Sequence, residues 1–153
     1  MITTLLAVHA FVAIIAFGLL PFPSILAKPM IANGDVQTIR SVFSILVARG
    51  RLAGPLAILA ALFGFWLARE MGYSYTAGWL IVSYIAFVIV LAVGIGVHAR
   101  WEQRVLAAAQ SSTTGGITPE LTAIINDKVN IVFYVVSLTC WFVLFYCMIV
   151  RPF

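Results

Sequence analysis

The chain has 153 residues, of which 63% are hydrophobic and 9% are charged, and its formal net charge is +4. Soluble domains carry about 25% charged residues, so this composition excludes an ordinary soluble globule and indicates a membrane protein. The basic residues lie at the ends of the apolar segments or between them, and most are on one predicted side of the membrane, so we expect no nucleic-acid partner.

Four apolar segments are long enough to cross a bilayer, which takes about 20 helical residues. Because backbone amides in lipid need partners within their own segment, these segments are predicted to be helices. The sequence therefore predicts a single all-α domain over 1–153, built as a four-helix transmembrane bundle. The predicted spans are 3–26, 52–71, 77–98 and 129–150.

The distribution of lysine and arginine predicts the orientation of the bundle. Seven basic residues follow the first and third spans, and two lie on the other side of the membrane. They are Lys28, Arg40, Arg49, Arg51, Arg100, Arg104 and Lys128 against Arg69 and Arg151. Basic residues stay cytoplasmic during insertion, so both termini are predicted to be extracytoplasmic. The basic side should also attract anionic lipid headgroups.

The first span contains a single histidine in the run "LLAVHAFVAIIAFG", residues 5–18. An unsatisfied polar ring in apolar surroundings costs several kcal/mol. His9 therefore needs a hydrogen-bond partner, a ligand or access to water, and the sequence leaves open which of these it has.

The segment between the first two spans has strong breaking and starting signals. The prolines between residues 21 and 29 end the first helix, and Asn33-Gly34 marks a turn. Asp35 is then predicted to cap a cytoplasmic amphipathic helix, which lies on the inner interface or extends the second span inward. The apolar face of this helix consists of Val36, Ile39, Phe43 and Leu46.

Small residues line one face of the second span, at Gly54, Ala57, Ala61 and Gly64. Helices associate in lipid through close packing of small residues, so this face is predicted to contact a neighbouring helix. The alternative is that the small residues leave room for a ligand between the backbones.

The third span is predicted to continue as a helix past the membrane. His98, beside Arg100 and Trp101, is interpreted as an interfacial side chain that reaches the headgroups. His9 and His98 lie near opposite ends of two helices that run in the same direction, so nearly the whole ~30 Å hydrocarbon layer separates them. A haem held between these two histidines is therefore excluded.

The fourth helix is predicted to begin near Thr118, where Thr118-Pro119-Glu120 combines a cap, a first-turn proline and an acid. Polar residues then recur on one face of the helix. This polar stripe consists of Asn126, Asn130, Tyr134, Ser137 and Trp141. It is predicted to face the bundle interior or a water-filled cavity, either as an interhelical hydrogen-bond ladder or as the lining of a functional site.

No enzyme motif is present, so the sequence leaves open whether the protein is an enzyme. The five acidic residues all lie at or outside the predicted interfaces, which argues against proton or cation transport through membrane carboxylates.

Several short motifs resemble a group of bacterial four-helix membrane proteins. They are an early histidine, "RGRLAGPLAILAALFG" in the second span, "GWL" opening the third and "IINDKVN" before the fourth. The group includes HemJ-type protoporphyrinogen oxidases, CopD-type copper-resistance proteins and integral-membrane families of unknown function, of which the last kind looks most similar. The resemblance implies a multi-pass protein of the bacterial inner membrane.

The resemblance also bears on cofactors. The helix-1 histidine of HemJ-type proteins is implicated in binding haem b, and His9 matches it, which makes His9 the candidate metal ligand. The important lysine of that family falls at Ser83 here, so its oxidase activity is not carried over. By depth in the membrane, the candidate cofactor site combines His9 with Ser83, Tyr84 and Trp141.

Two functions follow from these observations. One is a haem- or porphyrin-binding redox module that uses His9. The other is a non-catalytic membrane protein that binds lipid or a hydrophobic small molecule, or that serves as a subunit of a homo-oligomer or larger membrane assembly.

Overall fold

A computed structural model describes residues 1–19, 34–112 and 116–152, and every regular element in these ranges is helical. The predicted all-α class is thereby confirmed for the described chain. The elements are α1 (Ile2–Gly18), α2 (Val36–Glu70), α3 (Gly78–Val93), a π-helical turn (Gly94–His98), α4 (Ala99–Ser111), α5 (Pro119–Ile125) and α6 (Lys128–Val150).

In the part of the chain that the structure describes, three helical segments are long and apolar enough to cross a membrane, namely Val36–Glu70, Gly78–Ser111 and Pro119–Val150. The segment α1 is also apolar but shorter. The predicted end of the first span, 20–26, and the breaking signals up to Asn33 lie outside the described residues.

The predicted helix start at Asp35 is present. Its carboxylate accepts a hydrogen bond from the Thr38 backbone N–H at 2.7 Å, and hydrogen bonds from Thr38 hold the pKa of Asp35 below its usual value. From Val36 the helix continues to Glu70. Residues 36–51 are therefore an extension of the second span and do not form a separate interfacial helix.

The extension of α2 packs against α4 and α5 around large apolar side chains. This end cluster consists of Val36, Ile39, Phe43, Leu46, Trp101, Val105, Ala109, Leu121 and Ile125. The Trp101 ring meets Phe43 edge-on with centroids 5.4 Å apart, and its indole N–H donates to the Ile124 carbonyl at 2.8 Å. The Trp101 ring is thus packed against apolar side chains, and its indole N–H is hydrogen-bonded.

Arg40 ties the same extension to the end of α4. Its guanidinium donates to the carbonyl oxygens of Ala109 at 2.8 Å and Ser112 at 2.7 Å. The last carbonyls of a helix have no partner within the helix, so a cation placed there satisfies them and meets the negative end of the helix dipole.

Within the apolar part of α2, the buried side chains are mostly small, unlike the large ones of the end cluster. Its buried positions include Ala53, Ala57, Ala60 and Ala68, whereas Leu52, Leu59, Leu62 and Phe65 are exposed. Large apolar side chains gain nothing by leaving lipid for protein, while small ones allow two helix backbones to approach closely. Over this part of α2, alanines therefore make up most of the buried face and most of the large apolar residues point outward.

The helices associate as two pairs. The segment α1 packs along α2, and α3 packs along α6, while the extension of α2 packs against α4. Few contacts join α2 directly to α3. This arrangement leaves room between the two pairs next to the point where α2 and α4 meet.

The predicted helix start at Thr118 is also found, since the Thr118 hydroxyl accepts the Leu121 backbone N–H at 3.2 Å. The expected continuous fourth helix is wrong in one respect, because α5 ends at Ile125. The Asp127 carboxylate then accepts the Val129 backbone N–H at 2.9 Å and starts α6. A local side-chain cap has replaced the helical hydrogen bonds at this point.

Candidate functional site

His9 lies against α2. Its Nδ1 is 2.9 Å from the Ala60 carbonyl oxygen, and because a carbonyl only accepts, Nδ1 is the donor. The ring covers Gly64, where an added Cβ would lie 2.9 Å from His9 Cε1. Gly64, one of the small residues predicted to make a helix contact, thus leaves the space that the histidine ring fills.

Replacing Gly64 with leucine is expected to lower the free energy of unfolding by about 1–3 kcal/mol, because the new side chain competes with the His9 ring for the same volume. Unfolding in mixed micelles measures the loss. Adding His9→Ala should reduce the cost of Gly64→Leu, since the leucine can then occupy the vacated space. Gly18→Leu is the matched control, because no atom of another described part of the chain lies within 4 Å of a Cβ at Gly18. An equal cost with and without the His9 ring would contradict the proposed packing.

The other residues of the predicted cofactor site contact groups other than His9, although the buried Tyr84 hydroxyl and Trp141 indole N–H have no hydrogen-bond partner among the described residues. The buried Ser83 hydroxyl donates to the Trp79 carbonyl at 2.7 Å within α3. Tyr84 stacks on Phe65 at a centroid distance of 4.7 Å, and Trp141 meets Phe17 edge-on at 5.2 Å. No hydrogen bond or ring contact found within residues 1–19, 34–112 and 116–152 joins any of the three to His9.

The contacts described above do not link Ser83, Tyr84 or Trp141 to His9, so a cofactor site built from these four residues stays a prediction. Within the described parts of the chain, no group of three or more His, Cys, Asp or Glu side chains is placed to hold a metal ion. A second group of buried polar side chains lies at another place in the bundle.

The polar stripe divides into buried and exposed members. Asn130 and Ser137 are buried in α6, and the Tyr134 ring lies edge-on to His98 with centroids 6.3 Å apart. Asn126 is exposed, because it falls at the break between α5 and α6 and not within the helix. Asn130, Tyr134 and Ser137 therefore all lie near His98, whereas Trp141, also buried, packs against Phe17.

The interpretation of His98 as a headgroup-facing side chain is wrong, since the residue is 3% exposed. Its Nδ1 lies 2.8 Å from Asn130 Oδ1, and its Nε2 lies 3.5 Å from the Ser137 hydroxyl. In the arrangement that satisfies both contacts, Nδ1–H donates to Asn130 and Nε2 accepts from Ser137. The partners on α6 provide the hydrogen bonds that water or headgroups would otherwise supply.

A buried ion pair lies one helical turn beyond His98. Arg49 Nη2 and Glu102 Oε1 are 2.6 Å apart, and the two side chains are 12% and 3% exposed. The pair joins α2 to α4. Each charge needs the other here, because an unpaired charge removed from water carries a desolvation penalty of several kcal/mol.

A cavity of about 70 Å³ lies between the two helix pairs. Its polar end is formed by Arg49, His98 and Glu102, and one wall is formed by Ala53, Gly54 and Ala57 of α2. The opposite wall includes Phe87, Val90 and Leu91 of α3, while Leu19 and Trp141 complete the lining on other sides. Within residues 1–19, 34–112 and 116–152, no atom outside the neighbouring α2 backbone lies within 4 Å of a Cβ placed on Gly54. The small residues of α2 therefore border open space here, in addition to their packing role at Gly64.

The π-helical turn Gly94–His98 belongs to this site, because Gly94, Ile95 and His98 all line the cavity. Single π-helical turns within α-helices occur frequently at functional sites. Here the turn ends on the residue that contributes the buried imidazole to the polar end of the cavity.

Sequence reasoning did not single out Arg49, His98 and Glu102 as a group. Arg49 counted as a topology signal and Glu102 as an interfacial acid. One signal was available, because His98 and Glu102 are four residues apart and so share a helix face. Their meeting with Arg49 depends on how α2 and α4 pack, which the helical pattern alone does not contain.

Comparison with known proteins identifies one match. The family model described as "Predicted integral membrane protein (DUF2269)" matches residues 3–152. No curated protein and no solved structure matches the chain. The expected kinship with an integral-membrane family of unknown function is confirmed, and the family description names no ligand or reaction.

Proposed function

The chain belongs to the DUF2269 family of predicted integral membrane proteins, and on this premise we propose that it binds a lipid or another hydrophobic small molecule between its two helix pairs. The observation that carries the proposal is the cavity, which joins apolar walls of small residues to a polar end at Arg49, His98 and Glu102. Ligand sites are typically concave and apolar, with a few polar groups that fix orientation.

The lining of the cavity suits an amphiphilic molecule, because one part of it is apolar and the other part is polar. The walls at Gly54, Ala57 and Val90 offer a surface for hydrocarbon, whereas the charged pair and the imidazole offer hydrogen bonds to a head. Two helix pairs with few contacts between α2 and α3 also provide a lateral route from the bilayer. No reaction is part of this proposal.

Filling the cavity tests the proposal. Gly54→Leu should reduce the amount of lipid that stays bound in native mass spectra of detergent-purified protein, because the new side chain occupies the ligand volume. Ala92→Leu, at an exposed position of α3, is the matched control and should retain lipid like the parent. Gly54→Val serves if the leucine variant does not fold. Equal lipid retention in the folded cavity variant and the control would overturn the proposal.

The proposed topology keeps four spans, with both termini extracytoplasmic and residues 36–51 at the cytoplasmic end. Its support is the pattern of charge together with three long apolar helical segments and the shorter apolar α1. A reporter fused after Phe153 is expected to behave as periplasmic in the inner membrane of a bacterial host. Reporter activity on the cytoplasmic side would contradict the orientation.

A haem b on His9 is a second candidate, favoured by one observation. Because Nδ1–H donates to the Ala60 carbonyl, Nε2 is the ring nitrogen left to bind a ligand, as in metal-binding histidines with a backbone partner. Protein expressed with haem available would show a Soret band that His9→Ala abolishes. A colourless protein that His9→Ala merely destabilises would assign His9 to helix packing.

A further inference from the structure

The two charges at the polar end of the cavity are not equally accessible. The Arg49 side chain is 12% exposed and the Glu102 side chain is 3% exposed, although both line the cavity. Both charges therefore border the cavity, and the guanidinium belongs to the more exposed of the two side chains. Guanidinium groups bind phosphate and carboxylate oxygens with charge-assisted hydrogen bonds.

Two further arginines flank this end of the cavity. Arg51 directly follows Gly50, and Arg100 directly follows Ala99, and both of these preceding residues line the cavity. Arg51 and Arg100 are exposed. A Cβ on Gly50 would lie 3.9 Å from Glu102 Oε2, so α2 and α4 meet here and the two arginines lie at a similar depth.

The local charge balance is therefore positive. Glu102 offsets Arg49, and no other acidic side chain lines the cavity among the described residues, which leaves the charges of Arg51 and Arg100 beside its polar end. A basic residue near a membrane surface attracts an anionic lipid with about 1 kcal/mol, equivalent to about a fivefold preference.

From these observations we infer that the ligand is a membrane lipid with an anionic phosphate headgroup. Its head lies at the Arg49 end between Arg51 and Arg100, and the start of its acyl chain follows the wall at Gly54 and Ala57. The apolar walls favour a lipid over a soluble anion, and the uncompensated arginines favour a net negative head over a zwitterionic one. This inference rests on the proposed function, because it assigns the chemistry of the same cavity.

The test compares two lipids that share their acyl chains. Purified protein is mixed with phosphatidylglycerol or phosphatidylcholine in detergent, and bound lipid is counted by native mass spectrometry. We expect phosphatidylglycerol to be retained preferentially. Arg51→Gln and Arg100→Gln should each lower that preference by about fivefold. Lys128→Gln is the control, since Lys128 is an exposed cation of α6 whose neighbours do not line the cavity.

Each outcome has a definite meaning. Equal retention of both lipids, with both lost in Gly54→Leu, would overturn the anionic-head inference and leave the proposed function standing. Retention that Gly54→Leu does not change would overturn the proposed function itself. Inorganic phosphate that raises the unfolding temperature as much as phosphatidylglycerol, and abolishes its advantage, would replace the lipid by a soluble anion and overturn the inference.

Discussion

Replacing Trp101 with alanine is expected to lower the free energy of unfolding by about 3–5 kcal/mol, the range for removing a fully buried tryptophan. Trp101 is the largest fully buried side chain of the described chain, and the substitution removes its contact with Phe43 and its hydrogen bond to Ile124. Because the end cluster joins α2, α4 and α5, its loss weakens the contact between the two helix pairs. Equilibrium unfolding in mixed micelles measures the change.

Trp66→Ala provides the matched control for this prediction. Trp66 is an exposed residue of α2 whose indole N–H reaches Glu70 at 3.2 Å. Substitutions at such exposed positions usually change stability within about 0.5 kcal/mol. Similar losses for Trp66→Ala and Trp101→Ala would show that the end cluster does not stabilise the fold as its packing indicates.

Replacing Glu102 with alanine is expected to lower the free energy of unfolding by about 3–5 kcal/mol, because it leaves the buried Arg49 charge without its counter-ion. The 2.6 Å contact and the low exposure of both side chains place this pair among buried ion pairs. The same unfolding experiment measures the loss.

A double replacement separates the net contribution of the ion pair to stability from the cost of leaving one of its charges unpaired. Buried ion pairs can often be exchanged for apolar residues of similar volume at little cost. Arg49→Met combined with Glu102→Leu should therefore recover most of the stability lost by either single change. A double variant whose loss equals the sum of the two single losses would contradict a direct coupling between Arg49 and Glu102.

These two contacts explain how a cavity persists in the bundle. The end cluster and the ion pair fix α2 against α4 at one end, while α2 and α3 have few contacts beyond it. Closing the cavity would require α2 and α3 to approach each other while this end stays fixed. On α2 the residues beside the cavity are small, and Leu52, Leu59 and Leu62 face outward, where lipid accommodates them equally well.

Local helix signals were predictable from the sequence, because they depend on near neighbours. Asp35 and Thr118 begin helices as their side-chain chemistry indicates, and both caps accept a backbone N–H three residues on. The break at Asn126 was missed, because Asp127 competes as a second cap inside an otherwise continuous apolar pattern.

The candidate site was less predictable. The sequence indicated that His9 needs a partner. Depth in the membrane pointed to Ser83 and Tyr84, whereas the structure gives the Ala60 carbonyl as the partner. A backbone carbonyl carries no residue-specific signal, so only the packing of α1 on α2 could reveal it. His98 was likewise placed at the headgroups, because the position of Asn130 relative to the π-helical turn is not encoded in any single helix.

The sequence by itself determined the class of protein, its helical character, its caps and its asymmetry of charge, since these depend on composition and local spacing. The tertiary structure alone decided which helix faces meet. In a soluble protein the apolar face of a helix marks its buried side, but lipid accepts apolar side chains on every face and removes that signal. The pairing of Arg49 with Glu102, the burial of His98 and the cavity beside them therefore emerge only when the two helix pairs are assembled.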